Sequence, residues 1–191
     1  MRICVYGASS NAIDKNFITS VEVLGRKLAD RGHSLVFGGG AQGLMGAAAR
    51  GVYEKGGKIV GVSPKFFDVD GILFENCTEL VFTDTMRERK QTMEDNADAF
   101  VITPGGIGTY EEFFEILTLK QLGRHSKAIV IYNISGYYDA MLKMMDETVE
   151  KKFMKETAYE LYEVFDDADK MLDYIEKYKG KSSGAKYFKN I

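Results

Sequence analysis

The sequence predicts a doubly wound α/β domain, with a parallel sheet of about seven strands and helices on both faces. Three observations carry this. Short apolar runs alternate with longer segments of helical periodicity along the chain. The early runs, such as Ile3-Cys4-Val5-Tyr6, are continuously apolar rather than alternating, the pattern of strands covered on both faces. Glycine-rich turns follow the first, second and fifth runs, where a strand gives way to a helix.

In order, the first strand is placed at 3–6 and the first helix at 17–31. A strand at 34–37 leads through Gly38-Gly39-Gly40-Ala41-Gln42-Gly43 into a helix at 44–55, and a strand follows at 58–62. The next strand is read at 79–82 and its helix at 86–96, where Thr85-Met86-Arg87-Glu88 has the spacing of a capping box. The fifth strand is Ala99-Phe100-Val101-Ile102, and the helix behind it is read at 111–122. A strand at 128–132, a helix at 138–152, a weaker strand at 161–164 and a helix at 167–178 complete the pattern. Right-handed crossovers distribute the helices over both faces. No linker, repeat or low-complexity segment interrupts residues 1–180, which are read as one domain. The Gly-, Ser- and Lys-bearing end, 181–191, is read as a tail that docks loosely or frays.

The chain has 191 residues, 45% apolar and 28% charged, enough for one domain with a proper core. A net charge of -3 offers no basic excess for a nucleic-acid polymer or an anionic membrane. The first residues read directly as a strand, without a secretory signal, and no apolar stretch approaches the ~20 residues of a membrane span. Two distant cysteines and two histidines make no zinc pattern, and Cys4 is read as a buried core thiol. A reduced, cytoplasmic protein is expected, with no metal and no cofactor.

The most informative stretch is Pro104-Gly105-Gly106-Ile107-Gly108-Thr109-Tyr110-Glu111-Glu112. Its glycines let the backbone approach a ligand closely, and the helix N-terminus behind them presents unpaired N–H groups and about half a positive charge. This is an anion cradle, best suited to phosphate, with two carboxylates read into the first helical turn. In a doubly wound sheet it converges with Gly7-Ala8-Ser9-Ser10 and the Gly38–Gly43 turn at the carboxyl edge of the strands.

Each motif has a plainer reading. Gly38 to Gly43 matches G-x-G-x-x-G, but the following strand ends Gly61-Val62-Ser63-Pro64-Lys65 without the acidic residue a dinucleotide site requires. No Gly-Lys-Ser/Thr ending marks an NTP-hydrolysing loop. Met86, Arg89, Lys90 and Met93 share one helix face. Either Arg89 and Lys90 snorkel from a core stripe, or Arg89 turns into the cleft and grips an anion. Thr109 to Glu112 also has capping-box spacing, so Glu112 either caps its own helix or faces a ligand.

Together, Met86-Arg87-Glu88-Arg89-Lys90 and the Pro104–Glu112 motif resemble the Lonely Guy family of cytokinin riboside 5′-monophosphate phosphoribohydrolases, long labelled possible lysine decarboxylases. Gly38-Gly39-Gly40, Gly43-Leu44-Met45-Gly46 and Val5-Tyr6-Gly7-Ala8-Ser9-Ser10 are similar to the family's first segments, and the resemblance covers about residues 1–150. It implies a Rossmann-like fold and a homodimer with sites near the subunit interface. The implied reaction is hydrolysis of the N-glycosidic bond of a nucleoside 5′-monophosphate, AMP or N6-prenylated AMP, as in an AMP nucleosidase. Its products are an adenine-type base and ribose 5-phosphate.

Carried over by motif, Arg89 and Glu112 are the catalytic pair. Lys90, Gly105, Gly106, Ile107, Gly108, Thr109, Tyr110 and Glu111 contact the small-molecule nucleotide, with Thr118, Gly39 and Ser9 as further contacts. Ile107 stands where many members have Tyr, Tyr110 where Leu or Met is common, and Phe66 and Phe67 where an acidic residue often follows the proline. These departures bear on base preference more than on phosphate binding. Two other classes compete: a nucleotide- or pterin-binding module without catalysis, and a pyridoxal-phosphate decarboxylase, for which Lys90 is the sole motif lysine.

Overall fold

In the computed structural model, which describes residues 1–180, seven parallel strands form one sheet in the order β4-β3-β2-β1-β5-β6-β7. The strands are β1 (Arg2–Tyr6), β2 (Ser34–Phe37), β3 (Ile59–Pro64), β4 (Glu79–Thr83), β5 (Ala99–Ile102), β6 (Ala128–Tyr132) and β7 (Glu163–Phe165). The helices are α1 (Lys15–Asp30), α2 (Gly43–Glu54), α3 (Met86–Asp95), α4 (Ile107–Gln121), α5 (Asp139–Glu150) and α6 (Ala168–Lys177). The tail expected at 181–191 lies outside the described residues.

The strands alternate between two apolar layers. Ile3 and Val5 join Val21, Leu24 and Leu28 of α1, Ala47 and Val52 of α2, and Leu172 of α6. Cys4 and Tyr6 join Met93 of α3, Phe113 and Leu117 of α4, and Met141 and Met145 of α5. Both faces of the sheet are therefore covered, which is why β1, β2 and β6 carry almost no polar residue. Cys4 sits fully buried, and burial pushes its thiol well above its ordinary range.

The chain winds outward from β1 through β4, then returns to place β5 on the other side of β1. That reversal is the switch point at which doubly wound sheets open a cleft. Thr103 locks it: its N–H and hydroxyl both donate to the Tyr6 carbonyl, at 2.9 and 2.8 Å.

Three departures from the boundaries read in the sequence have a physical cause in the packing. Helix α4 begins at Ile107 rather than 111, because its first turn is built from the glycine motif itself, with the first helical bond running from the Tyr110 N–H to the Gly106 carbonyl. Strand β3 runs two residues further, to Pro64, because Ser63 and Pro64 stay in register with Phe82 and Thr83. Strand β7 is Glu163–Phe165 and not 161–164, since Leu161 and Tyr162 are spent as buried cover over α4 and α5, with Lys120 Nζ holding the Leu161 carbonyl at 2.7 Å. In α5, Met141 and Met145 bury against the sheet while Met144 stays exposed, so the methionine-rich segment divides between core and surface.

Candidate functional site

A cleft of about 610 Å³ opens at the switch point. The turn after β1 supplies Gly7, Ala8 and Ser9; the turn after β2 supplies Gly38 and Gly40; α4 supplies Gly106, Ile107, Gly108, Thr109, Glu111 and Glu112. Arg89 and Met86 reach it from α3, and Met45, Phe67, Ile72 and Leu73 form an apolar wall.

Two helix N-termini point toward this cleft, and their states differ. The first N–H groups of α2 are consumed by the neighbouring turn: Gly43 donates to Asn11 Oδ1 at 2.7 Å and Leu44 to the Ala8 carbonyl at 2.8 Å. Gly43 has φ +61°, and a Cβ there would run into the Ala8 carbonyl, so glycine is required to bring the two turns together. On α4, by contrast, the N–H groups of Gly106, Ile107 and Gly108 have no hydrogen-bond partner among the described residues. Gly106 caps that helix in extended conformation without a side-chain bond. The free anion seat is therefore the N-terminus of α4.

Helix α3 delivers the arginine. Thr85 Oγ1 accepts from the Glu88 N–H at 3.1 Å, and Glu88 Oε2 accepts from the Thr85 N–H at 3.1 Å, so the expected capping box is formed. With its start set there, α3 turns Met93 into the core and Arg89 under the cleft. Arg89 is 7% exposed; its Nε donates to the Val62 carbonyl at 3.2 Å and its Nη1 to Glu112 Oε1 at 3.0 Å. A Cβ on Gly38 would collide with the guanidinium, so that glycine makes room for it. Arg89 thus does not snorkel.

Glu112 lies in the second turn of α4 and is 9% exposed. Because α4 starts at Ile107, Glu112 is not positioned to cap it, and the capping-box reading of Thr109 to Glu112 is corrected. Burial pushes the Glu112 carboxyl above the ordinary carboxylate range; Arg89 pulls the other way, and Glu111 adds to the rise. Among the described residues its Oε2 has no hydrogen-bond partner. The cleft therefore holds a buried carboxylate, oriented through one oxygen and open at the other, beside unpaired backbone donors. That arrangement suits a ligand carrying an anionic group at one end and a developing positive charge near its middle.

Of the sequence-derived contacts, Arg89, Glu112, Ser9, Gly106, Ile107, Gly108, Thr109 and Glu111 line the cleft. Lys90, Gly105, Tyr110, Thr118 and Gly39 do not. Lys90 Nζ is held between Glu111 Oε1 at 2.5 Å and Glu115 Oε2 at 2.8 Å, pinning α3 to α4. Burial pulls its ammonium down, but the two carboxylates outweigh this and leave it above the ordinary lysine range. Tyr110 lies edge-on to Tyr138 with ring centres 5.9 Å apart, and Thr118 is exposed on the outer part of α4. Gly39 sits behind the cleft against Ser63 and Leu73. The wall residues Ile72 and Leu73 carry no motif, so spacing could not have marked them; the antiparallel bridge between Gly40 and Leu73 brings the 64–78 segment back over the second turn.

The described residues hold no helix long and apolar enough to cross a membrane. A family model described as possible lysine decarboxylase matches residues 45–175. Cytokinin riboside 5′-monophosphate phosphoribohydrolase LOG2 of Arabidopsis thaliana is 36% identical over 94% of this chain and 84% of its own length. Probable cytokinin riboside 5′-monophosphate phosphoribohydrolase LOGL3 of Oryza sativa subsp. japonica is 36% identical over 93% of this chain and 84% of its own. Among solved structures, the molybdenum cofactor carrier protein of Chlamydomonas reinhardtii aligns with a TM-score of 0.68 at 20% identity, covering 92% of this chain and 96% of that one. The molybdenum cofactor binding protein of Rippkaea orientalis aligns at 0.70 and 16% identity, covering 92% and 94%. At those identities the two structures establish the shared fold alone. By family model and by relatives matched over nearly its whole length, this chain belongs to the family of the cytokinin riboside 5′-monophosphate phosphoribohydrolases.

Proposed function

We propose that this protein hydrolyses the N-glycosidic bond of a nucleoside 5′-monophosphate with an adenine-type base, releasing the base and ribose 5-phosphate. The observation that carries the reading is the buried Arg89–Glu112 pair beside a helix N-terminus whose first N–H groups are unclaimed among the described residues. The 5′-phosphate sits on the N–H groups at 106–108. Its binding holds the ribose over Glu112, so that remote contacts position the reacting carbon. Cleavage builds oxocarbenium character at C1′, as in glycoside hydrolysis. The free Oε2 of Glu112 stabilises that charge and orients the attacking water, while Arg89 keeps Oε1 in place and favours the ionised form despite burial.

The apolar wall of Met45, Phe67, Ile72, Leu73 and Met86 supports a base bearing an apolar N6 substituent over AMP itself. The resemblance adds a homodimer, and the sequence reading of a reduced protein adds a cytoplasmic location. A pyridoxal-phosphate decarboxylase is disfavoured, because its Schiff-base lysine must stand neutral in the cleft, whereas Lys90 lies outside it between two carboxylates.

The test is to incubate pure protein with AMP and, separately, with N6-isopentenyl-AMP, and to separate the products by chromatography. Free base and ribose 5-phosphate are expected, with faster release from the prenylated nucleotide. Recovery of both nucleotides intact, by a protein that nevertheless binds them, would establish the binding module in place of the enzyme.

A further inference from the structure

Behind the anion seat, two consecutive tyrosines grip the loop between β5 and α4. The Tyr138 hydroxyl donates to the Thr103 carbonyl at 2.8 Å, and the Tyr137 hydroxyl to the Gly105 carbonyl at 2.7 Å. Between them, the Pro104 carbonyl accepts from the Ala8 N–H at 3.0 Å. Three successive carbonyls of this loop are thus held, and peptide geometry decides what each hold does to the N–H that follows it. In a planar trans peptide the C=O and the following N–H point in opposite directions. Holding the Gly105 carbonyl toward Tyr137 therefore aims the Gly106 N–H the other way, and Gly106 lines the cleft. A donor on the carbonyl also polarises the same peptide and strengthens its N–H as a donor. The Tyr138 bond has no such effect, because the peptide nitrogen after Thr103 belongs to Pro104 and carries no hydrogen.

The tyrosines are placed by a built turn. Ser135 has φ +53° and Gly136 φ +71°, two left-handed residues in succession, one of them not glycine. Asn16 Nδ2 donates to Ser135 Oγ at 3.0 Å, and Asn133 Oδ1 accepts from the Tyr138 N–H at 2.7 Å. Tyr137 is 40% exposed and rests edge-on against Phe17, ring centres 5.9 Å apart. Its ring has packing partners independent of its hydroxyl.

We infer that Tyr137 is a positioning residue for phosphate recognition: through its hydroxyl on the Gly105 carbonyl it aims and strengthens the Gly106 N–H at the ligand's phosphate. The inference rests on the reading of the α4 N-terminus as the phosphate seat. Titration calorimetry with ribose 5-phosphate and, separately, adenine tests it on wild type, Tyr137→Phe and Tyr138→Phe. Tyr137→Phe keeps the ring and should weaken ribose 5-phosphate about tenfold, the scale of one hydrogen bond to a charged group. Its adenine affinity should stay within about twofold, since no hydrogen bond to the base is altered. Tyr138→Phe should lower the melting temperature, because it strips a buried carbonyl of its donor, yet keep the ratio of the two affinities. Equal ribose 5-phosphate affinity in Tyr137→Phe and wild type overturns the inference. So does an equal loss for both ligands, or the same selective loss in Tyr138→Phe, which would reduce the effect to loop stiffness. A wild type that binds adenine but not ribose 5-phosphate overturns the phosphate seat itself, a failure distinct from the other three.

Discussion

At position 112 the burial of one carboxylate sets most of the chemistry. Glu112 is held by a single bond to Arg89 and raised above the ordinary carboxylate range by desolvation. Glu112→Gln retains an oxygen that can accept from Arg89, so the variant is expected to fold. Base release should nevertheless fall by about 100-fold or more, because the charge that answers the oxocarbenium ion is gone. Near wild-type release by a folded variant would remove Glu112 from the mechanism. The raised carboxyl also predicts the acid limb of kcat/KM. The reaction needs the ionised form, so activity should be lost as pH falls, with a midpoint above the ~4.3 of a free glutamate. A rate profile between pH 4 and 8 reads this directly. Spacing left both Arg89 and Glu112 with two readings, cleft or surface and sugar or cap. Neither could be closed from residue types, because each depends on where the helix begins and what lies beneath it.

For single elements, the turn after β2 and the helix α4 make separate claims. Gly38 leaves the space that the Arg89 guanidinium fills. Gly38→Ala should therefore displace Arg89 from Glu112 and cut turnover at least about tenfold, while circular dichroism remains that of the wild type. Unchanged turnover would mean the arginine has room to spare. At the other end of α4, His125 Nε2 lies 2.8 Å from the Ile116 carbonyl and Nδ1 3.2 Å from the Lys127 N–H. The first bond needs a donor and the second an acceptor, so the ring is held neutral. Burial drives its pKa down to about 4. Its unfolded value is near 6.5, so the unfolded chain binds the proton first as pH falls. Stability should be full above about pH 6.5 and decline toward pH 4, by on the order of 2 kcal/mol after allowing for partial solvent screening. Urea unfolding of wild type and His125→Gln across that range checks it: the variant should lose this slope. Most element types were legible because a strand covered on both faces and an amphipathic helix have different apolar periods. The start of α4 was not, because glycines are poor helix formers and read as a loop, whereas here they form the first turn over a free anion seat.

Across the whole molecule, the sheet order brings together groups far apart in the chain. Arg31, just past α1, meets Asp169, Asp173 and Glu176 of α6. Nearly 140 residues of chain thus close around the sheet through charges that are largely exposed. Exposed pairs are weak singly, so Arg31→Met should cost about 1 kcal/mol at low salt, and less than half of that in 1 M NaCl. Thermal melts at the two salt concentrations measure the difference; a loss independent of salt would assign it to packing of the arginine stem instead.

The residue order alone determined the alternation of strand and helix, the parallel sheet, the capping box at Thr85 and the three glycine turns. Each follows from periodicity and local backbone preference, which act between near neighbours. Only the tertiary structure decided that, among the described residues, α4 and not α2 keeps its N–H groups free, that Lys90 pairs outside the cleft, and that Phe67, Ile72 and Leu73 wall it. Those outcomes depend on which groups meet across the switch point between β1 and β5, and no local pattern carries that distance.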